Sequence, residues 1–200
     1  MPIYPYFLAG IFNLFGKGNL LAVARIQIIV DLITIIGITL AAVAIDKRIA
    51  LITAVVAAVI PNFLVHTSYV LTENLFLCFF VWGMCAVMWS IRGLHVFWLL
   101  FGAGVLFSLA LYTRPVMMFF PLFLFPTLVY VLSTQARRTI QRSVLLSIIP
   151  VAVMLLAATP RLTFHYMDYG YPVFTNQSGN HLLKWAYPCL GTPWSCSSHG

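Results

Sequence analysis

The sequence predicts an all-α fold: a polytopic membrane helix bundle of about six spans, preceded by an N-terminal interfacial or partial helix. Three observations carry that expectation. Of the 200 residues, 62% are apolar and 8% charged, and the mean hydropathy is +0.99. A soluble chain has about 45–50% apolar and about 25% charged residues. The apolar residues also gather into runs close to the ~20 residues that cross a bilayer. Finally, the charges lie between the runs and hardly within them. This composition excludes a disordered chain, a collagen-like or disulfide-rich scaffold, and a globular cytosolic enzyme.

Boundaries set by charges, Pro and Gly place the spans at roughly 25–45, 49–65, 74–91, 95–112, 115–132 and 143–159. Residues 2–16 (PIYPYFLAGIFNLFG) are apolar and aromatic but too short to cross alone, which suits an interfacial helix or the remnant of a span. Residues 1–159 therefore read as a transmembrane helical domain. Residues 160–200 turn polar and rich in Gly, Pro, Tyr, Asn and Ser. Irregular backbone exposed to lipid would leave its N–H and C=O groups unpaired, so this segment is expected in water or at the interface. Pro121, Pro126 and Pro150 fall inside the apparent spans and invite kinks.

Eleven Lys and Arg against four Asp and Glu give a net charge of +7. The basic residues are dispersed and form no aromatic-interleaved patch, so nucleic acid is not an expected partner. They report topology and contact with membrane lipids instead. Lys47 with Arg48, then Arg92, then Arg137, Arg138 and Arg142 fall in loops on one side; Lys17, Arg25, Arg114, Arg161 and Lys184 fall on the other. The clustered set is expected inside. Residues 61–73, the Arg114 region and the 160–200 tail are then extracytoplasmic. Short loops and a single outward tail suit a bacterial plasma (inner) membrane. The first basic residue, Lys17, follows an apolar stretch instead of preceding one, so no cleavable signal peptide is read.

Ionisable residues at membrane depth are few, and an Asp or Arg at mid-span costs about 2.5–3.5 kcal/mol on insertion scales. Glu73, the only glutamate, lies in the link Pro61–Asn74. If that link is helical, His66, Tyr69 or Val70, and Glu73 share a face. The plainer reading is that Thr72 or Glu73 caps the following span. Arg114 precedes Pro115 at a helix boundary; its guanidinium either grips a phosphate or snorkels to headgroups. Asp31, about six residues into the first span, either faces a cavity or forms a structural polar anchor with Gln27; the anchor is preferred.

His165 and Asp168 could face a metal, but two ligands without a third do not specify a site. Cys78 and Cys85 read as reduced packing residues. Cys189 and Cys196 could form a disulfide in the outer tail. Asn176-Gln177-Ser178 matches a glycosylation sequon, meaningful only in a eukaryotic secretory pathway. No Walker loop, G-x-S-x-G elbow or H-E-x-x-H is present.

Five segments together resemble one family: Pro2-Ile3-Tyr4-Pro5-Tyr6-Phe7-Leu8 before Phe15-Gly16; Ala24-Arg25; Tyr69-Val70-Leu71-Thr72-Glu73-Asn74-Leu75-Phe76; Leu109-Ala110-Leu111-Tyr112-Thr113-Arg114-Pro115; and Gly170 to Asn180 (GYPVFTNQSGN). Their order and spacing resemble glycosyltransferase family 39 and its relatives. These are GT-C membrane enzymes that include protein O-mannosyltransferases and aminoarabinose transferases.

The resemblance implies transfer of a sugar from a polyprenyl-phosphate-linked donor to an extracytoplasmic lipid, polysaccharide or protein. It implies that Arg114 binds donor phosphate and that Glu73 lines the catalytic centre. His66, Tyr69 and Asn180 would belong to the acceptor and donor loop, and a divalent metal is left open. Family members also carry an outer-loop aspartate before the segment matching Pro2–Phe15. No Asp or Glu precedes Asp31 here, so the expectation is a fragment, truncated at both ends, that is not competent alone. Two other readings stand beside it. A transporter or flippase would line a path with Asp31, Glu73 and Arg114, and should show inverted repeats, which the sequence does not display. A truncated, inactive membrane protein would only pack.

Overall fold

The computed structural model describes residues 3–59, 72–93, 95–136 and 138–169. Among these residues the chain is helical throughout, with no strand. It divides into two compact units, residues 1–157 and 158–200. The helices are α1 (Ile3–Phe15), α2 (Leu20–Val43), α3 (Lys47–Val59), α4 (Glu73–Ile91), α5 (Val96–Thr113), a 3-10 helix (Pro115–Phe119), α6 (Phe120–Thr134) and α7 (Ile140–Tyr169). Five stretches are long and apolar enough to cross a membrane: α2, α4, α5, Pro115–Thr134 and Ile140–Met167. The protein is an integral, multi-pass membrane protein. The expected span 49–65 is represented by α3, and its residues 60–65 lie outside those described.

α1 is a short apolar helix that folds back on the start of α2. Gly16 and Gly18 turn the chain with φ of +96° and +79°, a region that side chains with a Cβ rarely adopt. Asn19 fastens the joint from both sides. Its Oδ1 accepts from the Ala22 backbone N–H and its Nδ2 donates to the Phe15 carbonyl, each at 3.1 Å. Ile11 then packs on Ala22 and Val23, with Phe7, Leu8, Phe12 and Ile26 around them. Deeper along the same face, Gln27 Nε2 donates to the Tyr4 hydroxyl at 3.5 Å.

The centre of the first unit is built from α2, α4 and α5. Polar side chains of α4 reach α2 at four levels: Asn74 to Asp31, Trp82 to the Ile33 carbonyl, Trp89 to the Leu40 carbonyl, and Arg92 to the Ala44 and Ile45 carbonyls. Residue numbers rise together on both helices, so α2 and α4 run parallel. Where lipid removes the hydrophobic drive between helices, interhelical hydrogen bonds and close packing carry association, and this ladder supplies the first of these.

Arg92 closes the ladder at one end: Nε donates to Ala44 O at 2.6 Å and Nη2 to Ile45 O at 3.2 Å. It caps the carbonyls that the end of α2 leaves without intrahelical partners. Replacing Arg92 with Ala is expected to lower stability by about 1–2 kcal/mol, on the scale of hydrogen bonds from a charged donor at an exposed position. Thermal unfolding in detergent should register this as a modest fall in midpoint, with Arg92→Lys losing less.

α5 runs antiparallel to α4. Phe107 of α5 lies against Gly83 of α4, where a Cβ would come within 2.6 Å of the Phe107 ring. α5 and α7 run parallel, because Gly104 touches Pro150 and Val153 while the Tyr112 hydroxyl donates to the Ala157 carbonyl at 2.6 Å. These directions give the bundle two ends. One holds the start of α4 and the ends of α5 and Ala157. The other holds Lys47, Arg48, Arg92, Arg138 and Arg142.

The expected span 115–132 is not one uniform helix: Pro115–Phe119 forms a 3-10 turn before α6 begins at Phe120. Pro115 and Pro121 both sit in the first two positions of their elements, where a missing N–H removes no helical bond. Of the two prolines expected to kink this span, only Pro126 therefore lies in the helix interior. In the second unit, α7 continues beyond its expected end at 159 to Tyr169. Thr163 Oγ1 donates to the carbonyls of Thr159 and Pro160 there, and His165 is buried.

Candidate active site

The feature that departs most from an apolar bundle lies where α5 stops. A residue before proline is pushed out of the helical region by the proline ring, and Arg114 is extended (φ −140°, ψ 125°) immediately before Pro115. Its backbone N–H still closes the last turn onto Ala110 O at 2.9 Å, and Thr113 Oγ1 bonds the same carbonyl at 2.6 Å. The side chain is thereby released sideways from the helix end toward α4.

At the start of α4 it meets Glu73. Arg114 Nη2 donates to Glu73 Oε1, an ion pair between residues 41 positions apart, with the two side chains 40% and 25% exposed. Glu73 Oε2 accepts from the Thr72 hydroxyl at 3.3 Å. Thr72 occupies the N-cap position of α4, but its side chain makes no capping bond to a first-turn N–H. The hydroxyl that could have capped the helix is directed at the carboxylate instead. Glu73 lies in the first turn, where a negative charge suits the helix dipole, so the capping and site readings of this residue are compatible.

Beneath the pair lies an aromatic column. The Arg114 guanidinium carbon is 5.9 Å from the Phe76 ring centroid, in cation–π range. Phe76 stacks with Phe80 (5.9 Å, 18°), and Phe80 meets both Phe107 (5.9 Å) and Phe120 (5.4 Å). Phe107 and Phe120 close the group at 4.9 Å, edge to face. Gly83 leaves the volume that Phe107 fills. The guanidinium thus has an apolar floor and an acidic neighbour, while its remaining donors can reach a ligand arriving from the exposed side.

Next to Glu73, Asn74 Nδ2 donates to Asp31 Oδ2 at 3.1 Å, with both residues buried. The sequence reads Asp31 as a polar anchor with Gln27 as a partner; the structure adds the bond to Asn74. The signal was nonetheless present, since a carboxyl inside a span needs a polar partner and Asn74 is the one asparagine in the third expected span.

Of the residues expected at the site, Glu73 and Arg114 come together. His66, Tyr69 and Asn180 lie outside the described residues, as do Cys189, Cys196, Asn176 and the side chain of Asp168. Cys78 and Cys85 are free thiols. Among the described residues, no three His, Cys, Asp or Glu side chains are grouped to hold a metal ion.

Two apolar clefts open toward the opposite end of the bundle. One, of about 370 Å³, lies among α2, α3 and α4 around Ile38, Ile49 and Met84; the other, of about 290 Å³, lies between α4 and α6 around Met88, Leu128 and Gln135. Neither is lined by Glu73 or Arg114.

The family model described as dolichyl-phosphate-mannose-protein mannosyltransferase matches residues 1–164. No curated protein and no solved structure matches the chain.

Proposed function

The chain belongs to the dolichyl-phosphate-mannose-protein mannosyltransferase family, a GT-C type of membrane glycosyltransferase, and from that premise we propose that it transfers a sugar from a polyprenyl-phosphate-linked donor to an extracytoplasmic acceptor. The observation that carries the reading is the Arg114–Glu73 pair at the end of the bundle remote from Lys47, Arg48, Arg92, Arg138 and Arg142. With the basic cluster on the inside, the pair faces the extracytoplasmic surface. Short loops between the apolar runs support a bacterial plasma membrane as its location.

In this mechanism Arg114 exchanges part of its contact with Glu73 for the donor phosphate. A planar guanidinium donates two parallel bonds to phosphate oxygens. As an acceptor hydroxyl attacks the anomeric carbon, the bond from that carbon to phosphate oxygen breaks. The polyprenyl phosphate leaves with the bonding electrons, and the charge gathering on it is met by Arg114. The proton of the hydroxyl passes to Glu73, whose Oε1 is vacated as Arg114 turns to the phosphate. His66, Tyr69 and Asn180 contribute to the loop that positions donor and acceptor.

Two measurements test the proposal. Glu73→Gln keeps an acceptor for Arg114 and removes the charge. Transfer of labelled sugar from a polyprenyl-phosphate donor in membrane vesicles should fall by about 10²–10⁴-fold, the usual contribution of a positioned base. Full transfer by this variant would remove Glu73 from the chemistry. Separately, a single cysteine at exposed Val116 should react with a membrane-impermeant maleimide from outside intact cells, and one at Arg138 should not. The reverse pattern would place the pair on the wrong surface.

A further inference from the structure

We infer that Asp31 is a positioning residue: through Asn74 it fixes the first turn of α4, and so aims Glu73 at Arg114. The consequence for sugar transfer rests on the proposed function, whereas the geometric claim stands without it.

Four observations lead there. Asp31 is 6% exposed and Asn74 2%, and they bond at 3.1 Å across 43 residues of sequence. Asn74 is the residue immediately after Glu73, in the same helical turn, so whatever holds Asn74 sets the azimuth at which Glu73 leaves the helix. The N-cap side chain does not hold the turn, because Thr72 makes no side-chain capping bond and gives its hydroxyl to Glu73. Lastly, a carboxyl within a span is retained against an insertion cost of about 2.5–3.5 kcal/mol. A Leu at position 31 would pack α2 against α4 without that cost, so packing alone does not account for an acid there.

The bond is directional in a way that apolar contact is not. Helices that are apolar all round present nearly equivalent faces to a neighbour, and rotation of one changes little in packing. Trp82, Trp89 and Arg92 orient the rest of α4 against α2 carbonyls, and the Asn74–Asp31 bond does so at the first turn, much as one buried asparagine sets register in a coiled coil.

The test separates geometry from activity. In a chain with its four native cysteines replaced by serine, Glu73→Cys and Arg114→Cys are joined by a short bifunctional methanethiosulfonate in membranes. The ion pair is absent from this chain, so the approach of the two positions depends on what else holds α4. Adding Asp31→Leu should lower the cross-linked fraction at least fivefold; adding Asp31→Asn, which still accepts from Asn74, should keep it within twofold.

Because Asp31→Leu leaves Asn74 buried without this acceptor and could fail to fold, the decisive variant is Asp31→Leu with Asn74→Leu. Replacing both partners with apolar groups is often near neutral for stability. This double variant should unfold near the parent temperature and still cross-link poorly. Cross-linking at the parent level in it would overturn the inference.

In the chain with its native cysteines, Glu73 and Arg114 restored, the same double replacement should reduce kcat about tenfold or more with KM for the donor nearly unchanged. Asp31→Asn should restore turnover. Loss of cross-linking without loss of transfer would retain the positioning role and sink the proposed function. A fall in turnover that merely follows the amount of folded protein would leave Asp31 an ordinary packing residue.

Discussion

Replacing Arg114 with alanine is expected to lower sugar transfer by about 10²–10³-fold at saturating donor, the scale on which one preorganised donor to a developing negative charge contributes, or roughly 2.7–4 kcal/mol. Stability cannot explain a loss of that size. The pair with Glu73 is partly exposed, at 40% and 25%, and such pairs contribute about 0–1 kcal/mol. Unfolding temperature should therefore move little while transfer collapses. Arg114→Lys separates charge from shape: it keeps the cation and loses the planar fork, so its activity should lie between the two. Initial rates in vesicles, normalised to folded protein by gel filtration, make the comparison. Equal rates for wild type, Arg114→Lys and Arg114→Ala would mean that no donor phosphate rests on this residue.

The second large effect concerns folding. A Cβ added at Gly104 would lie 2.8 Å from Val153 Cβ, 2.9 Å from Pro150 Cα and 3.0 Å from Pro150 O. Two of these three neighbours are backbone, and Pro150 is fully buried, so relief requires α7 to move away from α5. Overpacking of this kind costs about 1–3 kcal/mol and occasionally more. Gly104→Val should sit at the upper end and reduce the monodisperse fraction after solubilisation severalfold. Separation of α5 and α7 also removes the Tyr112 to Ala157 bond. Gly102, two residues earlier on another face, has nothing within 4 Å of an added Cβ. Gly102→Ala is the matched control and should unfold at or slightly above the parent temperature. Equal behaviour of the two variants would show that α5 and α7 do not approach as closely as described.

How much of this was legible in the sequence depends on what each feature requires. Spans follow from long apolar runs, and α4 and α5 fall within a residue of their expected limits because charge or proline marks each edge. Arg114 was legible for a similar reason: Pro115 forces the residue before it out of the helix, which puts a cation at a helix end. The juxtaposition of Glu73 with Arg114 follows from the antiparallel return of α5, a matter of counting crossings. Azimuth was another matter. α2 and α4 are apolar on nearly every face, so no stripe indicates which side of Asp31 meets which neighbour; composition offers Asn74 as a partner but not the rotation that brings the two together. The 3-10 turn at Pro115–Phe119 was hidden because apolar content is equal in both helix types. The indole and guanidinium bonds to α2 carbonyls were equally silent, since any carbonyl along the chain could have received them.

Those indole bonds carry a consequence of their own. Trp82 and Trp89 are seven residues apart, as are the carbonyls they grip at Ile33 and Leu40, so both helices are notched at one common interval. A slide of one residue would miss both notches together, and the next position that presents carbonyls on the same face lies about one turn away. Translation of α2 along α4 is accordingly all-or-none, like a rack meeting its pinion. The two chromophores would announce any such slip by a joint change in emission wavelength, which makes them native gauges of whether the Glu73–Arg114 end of the bundle ever shifts along its own axis.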